Sequence, residues 1–243
     1  MKKLVIAILL GIIWAPVANG ADSYNFNNFF KQSDDFFKKY VQHGRVAYEA
    51  INSQFSEIES LYNSIGDADL SNASDDEVKA FYINAYNLIV IYQVSKYYPL
   101  KSPLDQSGFF DKVKHKVAGV PMTLNFLEIK KLILTYKDPR IHFALACAAV
   151  SCPPLANFAY MPEQLDQQLN SRTKLSLNDP VWLKVRADQN KVYLSKIFEW
   201  YSKDFVMSGE GSVLQFINKY RSKNIPTSYA IAYYEYDWSL NER

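Results

Sequence analysis

Cysteine and histidine are scarce in this chain of 243 residues, which holds two of the first and three of the second. Two cysteines cannot staple a protein of this length, so the fold must rest on its apolar core rather than on a disulfide framework. Charge of one sign is lacking too. Lys and Arg number 27 against 25 Asp and Glu, and no basic stripe gathers them, which argues against nucleic acid as a partner. Beyond the first twenty residues no apolar run approaches the roughly 20 residues a membrane-spanning helix needs. Internal repeats, low-complexity tracts and disordered linkers are missing as well. What the chain does have is apolar and aromatic mass: 49% of its residues are hydrophobic, with 18 Tyr and 15 Phe. The core is therefore ample, and many tyrosine hydroxyls need hydrogen-bond partners inside it.

Residues 1–20 have the pattern of a secretory signal peptide. Lys2 and Lys3 precede an apolar stretch, Pro16 breaks it, and Ala18 and Gly20 are small residues at the spacing a signal peptidase accepts. The expectation is cleavage near Gly20 and an exported protein, periplasmic or secreted, with no stable membrane insertion after cleavage. Losing Lys2 and Lys3 brings the side-chain charge balance to zero. Residues 21–243 suit one α+β domain.

The rest of the chain has helical periodicity over 22–65, interrupted by a turn at His43-Gly44-Arg45. Ser74 with Glu77 forms a capping box that starts a helix running to Tyr98. A short hairpin is expected over 112–124, followed by a helix that Asn125 would cap, running from Phe126 to about Tyr136. Residues 140–146 suit a buried strand or a buried helix; periodicity does not decide between them. A helix over 162–173, a hairpin around 187–190, two more helices after Ser195 and Ser212, and a final aromatic-rich strand over 229–238 complete the reading. Helices first and mixed elements later favour α+β, with mixed helices packed on a small antiparallel sheet.

Chemistry concentrates between Asp138 and Pro154, which holds His142, Cys147 and Cys152. A histidine and two sulfurs this close support a thiolate nucleophile, a disulfide or a metal site. Pro153-Pro154 makes the loop stiff and keeps Cys152 out of any continuing helix. A cysteine held beside a histidine can form an ion-paired thiolate, with a third group fixing the imidazole tautomer. Against this, a histidine in an apolar run is commonly a hydrogen-bonded core residue. Two cysteines five apart in an exported protein can also simply pair, closing a loop worth roughly 2 kcal/mol. Two sulfurs and one nitrogen leave a tetrahedral zinc one ligand short, so neither a metal nor another cofactor is expected. His43 and His115 lie in polar contexts and are expected at the surface.

Four separated motifs, the run 81–87 (Phe-Tyr-Ile-Asn-Ala-Tyr-Asn), the stretch 138–155, the run 192–201 with Asp204-Phe205, and the terminal 236–241, resemble the bacterial DUF547 family, a domain of unknown function. The likeness covers about residues 45–241. The family in turn resembles, at a distance, papain-like thiol hydrolases with a rearranged order of catalytic residues. Under that resemblance Cys152 is the first choice of nucleophile, with Cys147 next, His142 is the base, and Glu128 orients His142. Asn84 and Asn87 share a helix face. They either donate to a substrate carbonyl or tie down backbone, and the second role is favoured because buried amides usually serve the fold. Arg140 is read as an ion-pair partner ahead of a substrate clamp.

Three functions stay open on these residues. The first is an exported thiol hydrolase or acyl transferase acting on a peptide or amide. The second is a non-catalytic exported domain that binds a peptide or protein partner, with a Cys147–Cys152 disulfide. Thiol–disulfide exchange ranks last, since the closer Cys-x-x-Cys spacing is absent.

Overall fold

The structure, a computed structural model, describes residues 24–180, 182–206 and 209–243. The expected signal peptide lies outside them. The first helix, α1 (Phe26–Tyr40), starts where the Asn25 side chain accepts the Asn28 N–H at 2.9 Å, and it ends with Lys38 and Lys39 in its last turn. Both ends therefore complement the helix dipole and its orphan N–H groups. Its phenylalanines Phe29, Phe30, Phe36 and Phe37 point into the core. A two-residue hairpin follows, β1 (Val41–Gln42) against β2 (Arg45–Val46), turning through His43 and Gly44, both with positive φ. Two short helices, α2 (Tyr48–Ser53) and α3 (Phe55–Gly66), lead to α4 (Asp75–Lys96). Ser74 caps α4 in the expected capping box. Every residue of α4 from Ala80 to Ser95 is buried, so this helix runs through the core and shows no polar face.

The hairpin β3 (His115–Val117) and β4 (Val120–Met122) comes next. The following helix is capped by Thr123, whose hydroxyl accepts the Phe126 N–H at 3.2 Å, two residues before the expected Asn125. It begins as α5 (Leu124–Phe126), widens into a π-helical segment Leu127–Ile133, and closes as α6 (Leu134–Tyr136). In the widened turns the Leu134 N–H reaches back five residues to the Ile129 carbonyl. Such π segments often mark functional positions, and this one carries Glu128.

Residues 140–146 are neither strand nor α-helix. Pro139–Phe143 is a 3-10 helix, and the chain is irregular from there to the cysteines. After α7 (Leu165–Asn178) come β5 (Lys184–Arg186) and β6 (Lys191–Leu194), then α8 (Ile197–Trp200), α9 (Val213–Tyr220) and β7 (Ala230–Tyr233). β6 pairs antiparallel with β5 and parallel with β7. The parallel partner is reached by a crossover containing two helices, as parallel pairing requires. The class is α+β as expected, but among the described residues the strands form two antiparallel pairs and one mixed three-stranded sheet instead of a single antiparallel sheet.

Two apolar clusters divide the interior. The larger packs α1 to α6; the smaller gathers Leu177, Trp182, Val192, Phe198, Phe205 and Phe216. The 3-10 helix joins them, because Ile141 belongs to the first cluster and Phe143 to the second. His142 lies between the two, on the seam. No helix among the described residues is long and apolar enough to cross a membrane.

Candidate functional site

The 3-10 helix that carries His142 is fixed at its start. Asp138 accepts the Arg140 N–H at 3.1 Å, and Pro139 occupies the first helical position, where its missing N–H costs nothing. The same carboxylate takes Lys79 Nζ at 2.8 Å and Arg140 Nη2 at 2.8 Å, and Arg140 Nη1 continues to Asp166 at 2.7 Å. Burial pushes the Asp138 pKa up, but the bonds and charges of Arg140 and Lys79 outweigh burial and hold it below the ordinary value. This network joins α4, the 3-10 helix and α7.

The segment from Ala144 to Cys152 is strapped from both sides. From α4, Asn87 Nδ2 donates to the Ala144 carbonyl and its Oδ1 accepts the Ala146 N–H, both at 2.9 Å. From the C-terminal residues, Asn241 N–H donates to Ala148 O at 2.9 Å, Val150 N–H to Ser239 O at 2.8 Å, and Ser151 N–H to Asp237 O at 3.2 Å. Trp182 Nε1 donates to the Ser151 carbonyl at 3.3 Å. The turn of the first hairpin presses on the same loop: a Cβ at Gly44 would lie 2.6 Å from Pro154 Cβ and 2.8 Å from its Cα. Arg172 donates to the Pro154 carbonyl.

These straps hold the loop against a cavity of about 290 Å³. Cys147 and Cys152 meet on its wall as a disulfide. The Cys147 N–H points at Cys152 Sγ at 2.9 Å, and the Tyr236 hydroxyl lies 3.2 Å from each sulfur. His142 Nε2–H donates to Asp204 Oδ2 at 2.9 Å, and its ring packs 4.4 Å from Tyr201 and 5.3 Å from Phe205, centre to centre. Glu128 is buried and accepts hydrogen bonds from Tyr86, at 3.2 Å, and from Tyr201. Burial raises its pKa above the ordinary value; His142 and the two hydroxyls oppose that rise without cancelling it. Burial likewise drives the Tyr86, Tyr201 and Tyr236 hydroxyls well above the usual phenol range, so all three stay protonated donors. Trp200, Tyr236 and Trp238 form an aromatic wall, with Tyr236 4.9 Å from Trp200 and 4.8 Å from Trp238.

Glu128, His142, Cys147 and Cys152 all line this one cavity. The carboxylate bonded to the imidazole is Asp204, while Glu128 meets the same ring through charge. Asn84 lies elsewhere: its amide clasps the Tyr160 backbone, donating to the carbonyl at 2.8 Å and accepting the N–H at 2.9 Å. Asn87 stands behind the cysteine loop with its amide committed to backbone, and Arg140 is committed to Asp138 and Asp166. His115 is not at the surface. It is buried, its Nδ1 bonds the Tyr62 hydroxyl at 3.1 Å, and burial followed by the Lys96 charge lowers its pKa to about 4. His43 is exposed in its turn. Sequence reasoning gave Asp204 and Tyr236 no role, although both stood inside motifs already singled out. No group of three or more His, Cys, Asp or Glu side chains placed to hold a metal occurs among the described residues.

Residues 70–175 match the family model described as "Protein of unknown function, DUF547", so the chain carries a DUF547 domain over those residues. Comparison with curated proteins and with solved structures finds no match, so a papain-like relation is not shown. The matched segment supplies Glu128, His142 and both cysteines. Trp200, Tyr201, Tyr236 and Trp238 of the lining, and Asp204 bonded to His142, come from beyond it, so the cavity needs both parts of the chain.

Proposed function

We propose that the protein is an exported cysteine-dependent hydrolase or acyl transferase for a peptide or amide, competent in its dithiol form. The observation that carries this reading is the meeting of His142, bonded to Asp204, with Glu128 and both sulfurs in one cavity. An external dithiol first reduces the disulfide and leaves as its own disulfide. Cys152 is then the nucleophile, because the Cys147 N–H directed at its sulfur favours the thiolate. His142 takes the thiol proton while Asp204 holds its tautomer and balances the imidazolium. The thiolate forms a C–S bond to the carbonyl carbon, and the C–N bond breaks as His142 returns the proton to the leaving amine. Water or a second amine then cleaves the thioester, with His142 taking its proton and restoring the thiol.

The test is labelling with iodoacetamide after reduction, followed by mass spectrometry between about pH 5 and 9, against an ordinary thiol pKa near 8.5. Cys152 should label well below pH 8, His142→Ala and Asp204→Asn should abolish that early labelling, and p-nitrophenyl acetate should leave one acetyl group on Cys152. Ordinary titration of both thiols, with no acetyl adduct, would defeat the proposal.

The disulfide itself favours a second reading, a non-catalytic binding domain, since both sulfurs are capped in that state. This reading predicts a protein purified without reductant whose mass is two protons light, and whose reduced form gains no esterase activity.

A further inference from the structure

The cavity has an uneven chemical lining. Among the described residues that form it, none is lysine or arginine, while six are aromatic: Tyr86, Phe110, Trp200, Tyr201, Tyr236 and Trp238. Aromatic faces carry negative electrostatic potential and attract cations, tryptophan most strongly. The charge that His142 can carry is already answered by Asp204 at 2.9 Å. Among the described residues, the hydrogen bonds that Glu128 accepts come from tyrosine hydroxyls, Tyr86 and Tyr201. The group acting on this carboxylate that can carry positive charge is His142, which is shared with Asp204, so an entering cation would add the countercharge that burial demands. Polarity is also graded along the cavity. Glu128 is buried, whereas Trp200 is 49% exposed and stacks 6.1 Å from Trp238. The volume of about 290 Å³ sits at the small end of ligand pockets and suits a slender chain.

We propose that this cavity binds a primary ammonium group carried on an apolar stem, the chemistry of a lysine side-chain end, with its head against Glu128 and its stem along Trp200, Tyr236 and Trp238. The proposal gives the substrate class of the reaction above and rests on that reading for its catalytic meaning. The binding itself needs no free thiol.

That separation sets the experiment. The oxidised full-length protein is titrated at pH 7 with n-butylamine, n-butanol and butyrate, following tryptophan fluorescence. Butylammonium should bind saturably, at least about tenfold tighter than butanol, and butyrate more weakly still. Glu128→Gln should erase the preference for the amine over the alcohol, and Trp200→Ala, a change at a half-exposed site, should weaken both. The absence of a saturable response to butylammonium up to about 100 mM, equal binding of amine and alcohol, or tighter binding of butyrate would overturn the proposal. If Glu128→Gln does not fold, the ranking of the three probes on the unaltered protein decides alone. Because the disulfide stays closed, failure here leaves the thiol-labelling result standing, and failed labelling leaves this one standing.

Discussion

Replacing Asn87 by alanine measures how much of the site is held from behind. Asn87 is 1% exposed, and its amide satisfies the Ala144 carbonyl and the Ala146 N–H, each at 2.9 Å. Truncation leaves both backbone groups buried without partners. Each such orphan costs about 1–3 kcal/mol, and release of the amide's own desolvation offsets part of the sum, so the expected loss is about 3 kcal/mol. For a chain of this size that lowers Tm by about 6–12 °C. Urea unfolding of the oxidised protein should show a lower midpoint with an unchanged slope. Asn84→Ala is the control. It orphans the Tyr160 carbonyl and N–H in the same way, away from the cavity, and should cost a similar amount. The two variants should differ in the reduced protein, where Asn87→Ala alone broadens the pH profile of cysteine labelling because the loop loses its rear strap. A loss below about 1 kcal/mol for Asn87→Ala would refute the reasoning and return the amide to the role of substrate donor.

Buried His115 makes stability fall in acid. Its pKa drops to about 4 in the folded chain against about 6.5 unfolded, so its contribution is complete above the unfolded value and is lost as pH falls from there towards 4. About 3 kcal/mol is at stake, and His115→Gln should flatten that part of the stability–pH curve. Glu128 has the opposite sign. Burial raises its folded pKa, so its full stability is present below about pH 4.5 and declines as pH rises through the folded value. Glu128→Gln should therefore unfold at higher denaturant than the natural protein at pH 7 and lose that advantage at pH 4. A Gln variant that is less stable at pH 7 would contradict the assignment. Ser74→Ala breaks the capping box of α4 and should cost about 1 kcal/mol, read as a lower urea midpoint with no change in thiol labelling.

Local signals were legible wherever one residue type has one structural use. Ser74 and Glu77 announced the start of α4, His43-Gly44 announced the first turn, and the stiff Pro153-Pro154 placed Cys152 on a loop. His142 and the cysteines stood out by their scarcity, whereas Glu128 was named only through the family resemblance, since a glutamate on a helix is ordinarily a solvated charge. Residues 140–146 stayed ambiguous because they are buried on all sides, and burial removes the periodicity that separates strand from helix. His115 looked exposed from its lysine neighbours, since Lys114 and Lys116 flank it, yet alternation along β3 turns the histidine inward and Lys116 outward. Asp204 could not be paired with His142 from sequence, because their contact crosses 62 positions and nothing local records it. Trp238 stands in the cavity wall, a place that nothing in its local sequence records. The parallel pairing of β7 depends on the crossover through α8 and α9, a fact of topology rather than of composition.

The approach of Gly44 to Pro154 sets unequal evolutionary limits on two distant stretches of chain. Gly44 has φ +78°, and any side chain there would collide with the proline that follows the cystine. A substitution at 44 would push the loop outward, whereas the atoms met at 154 are Cα and Cβ, which every residue but glycine keeps, and the turn also bridges to Leu155. Among sequences that keep this loop, position 44 should therefore stay glycine while 154 varies more freely. Such one-sided fixation, sought in an alignment, would mark the place where the first hairpin lies against the cysteines.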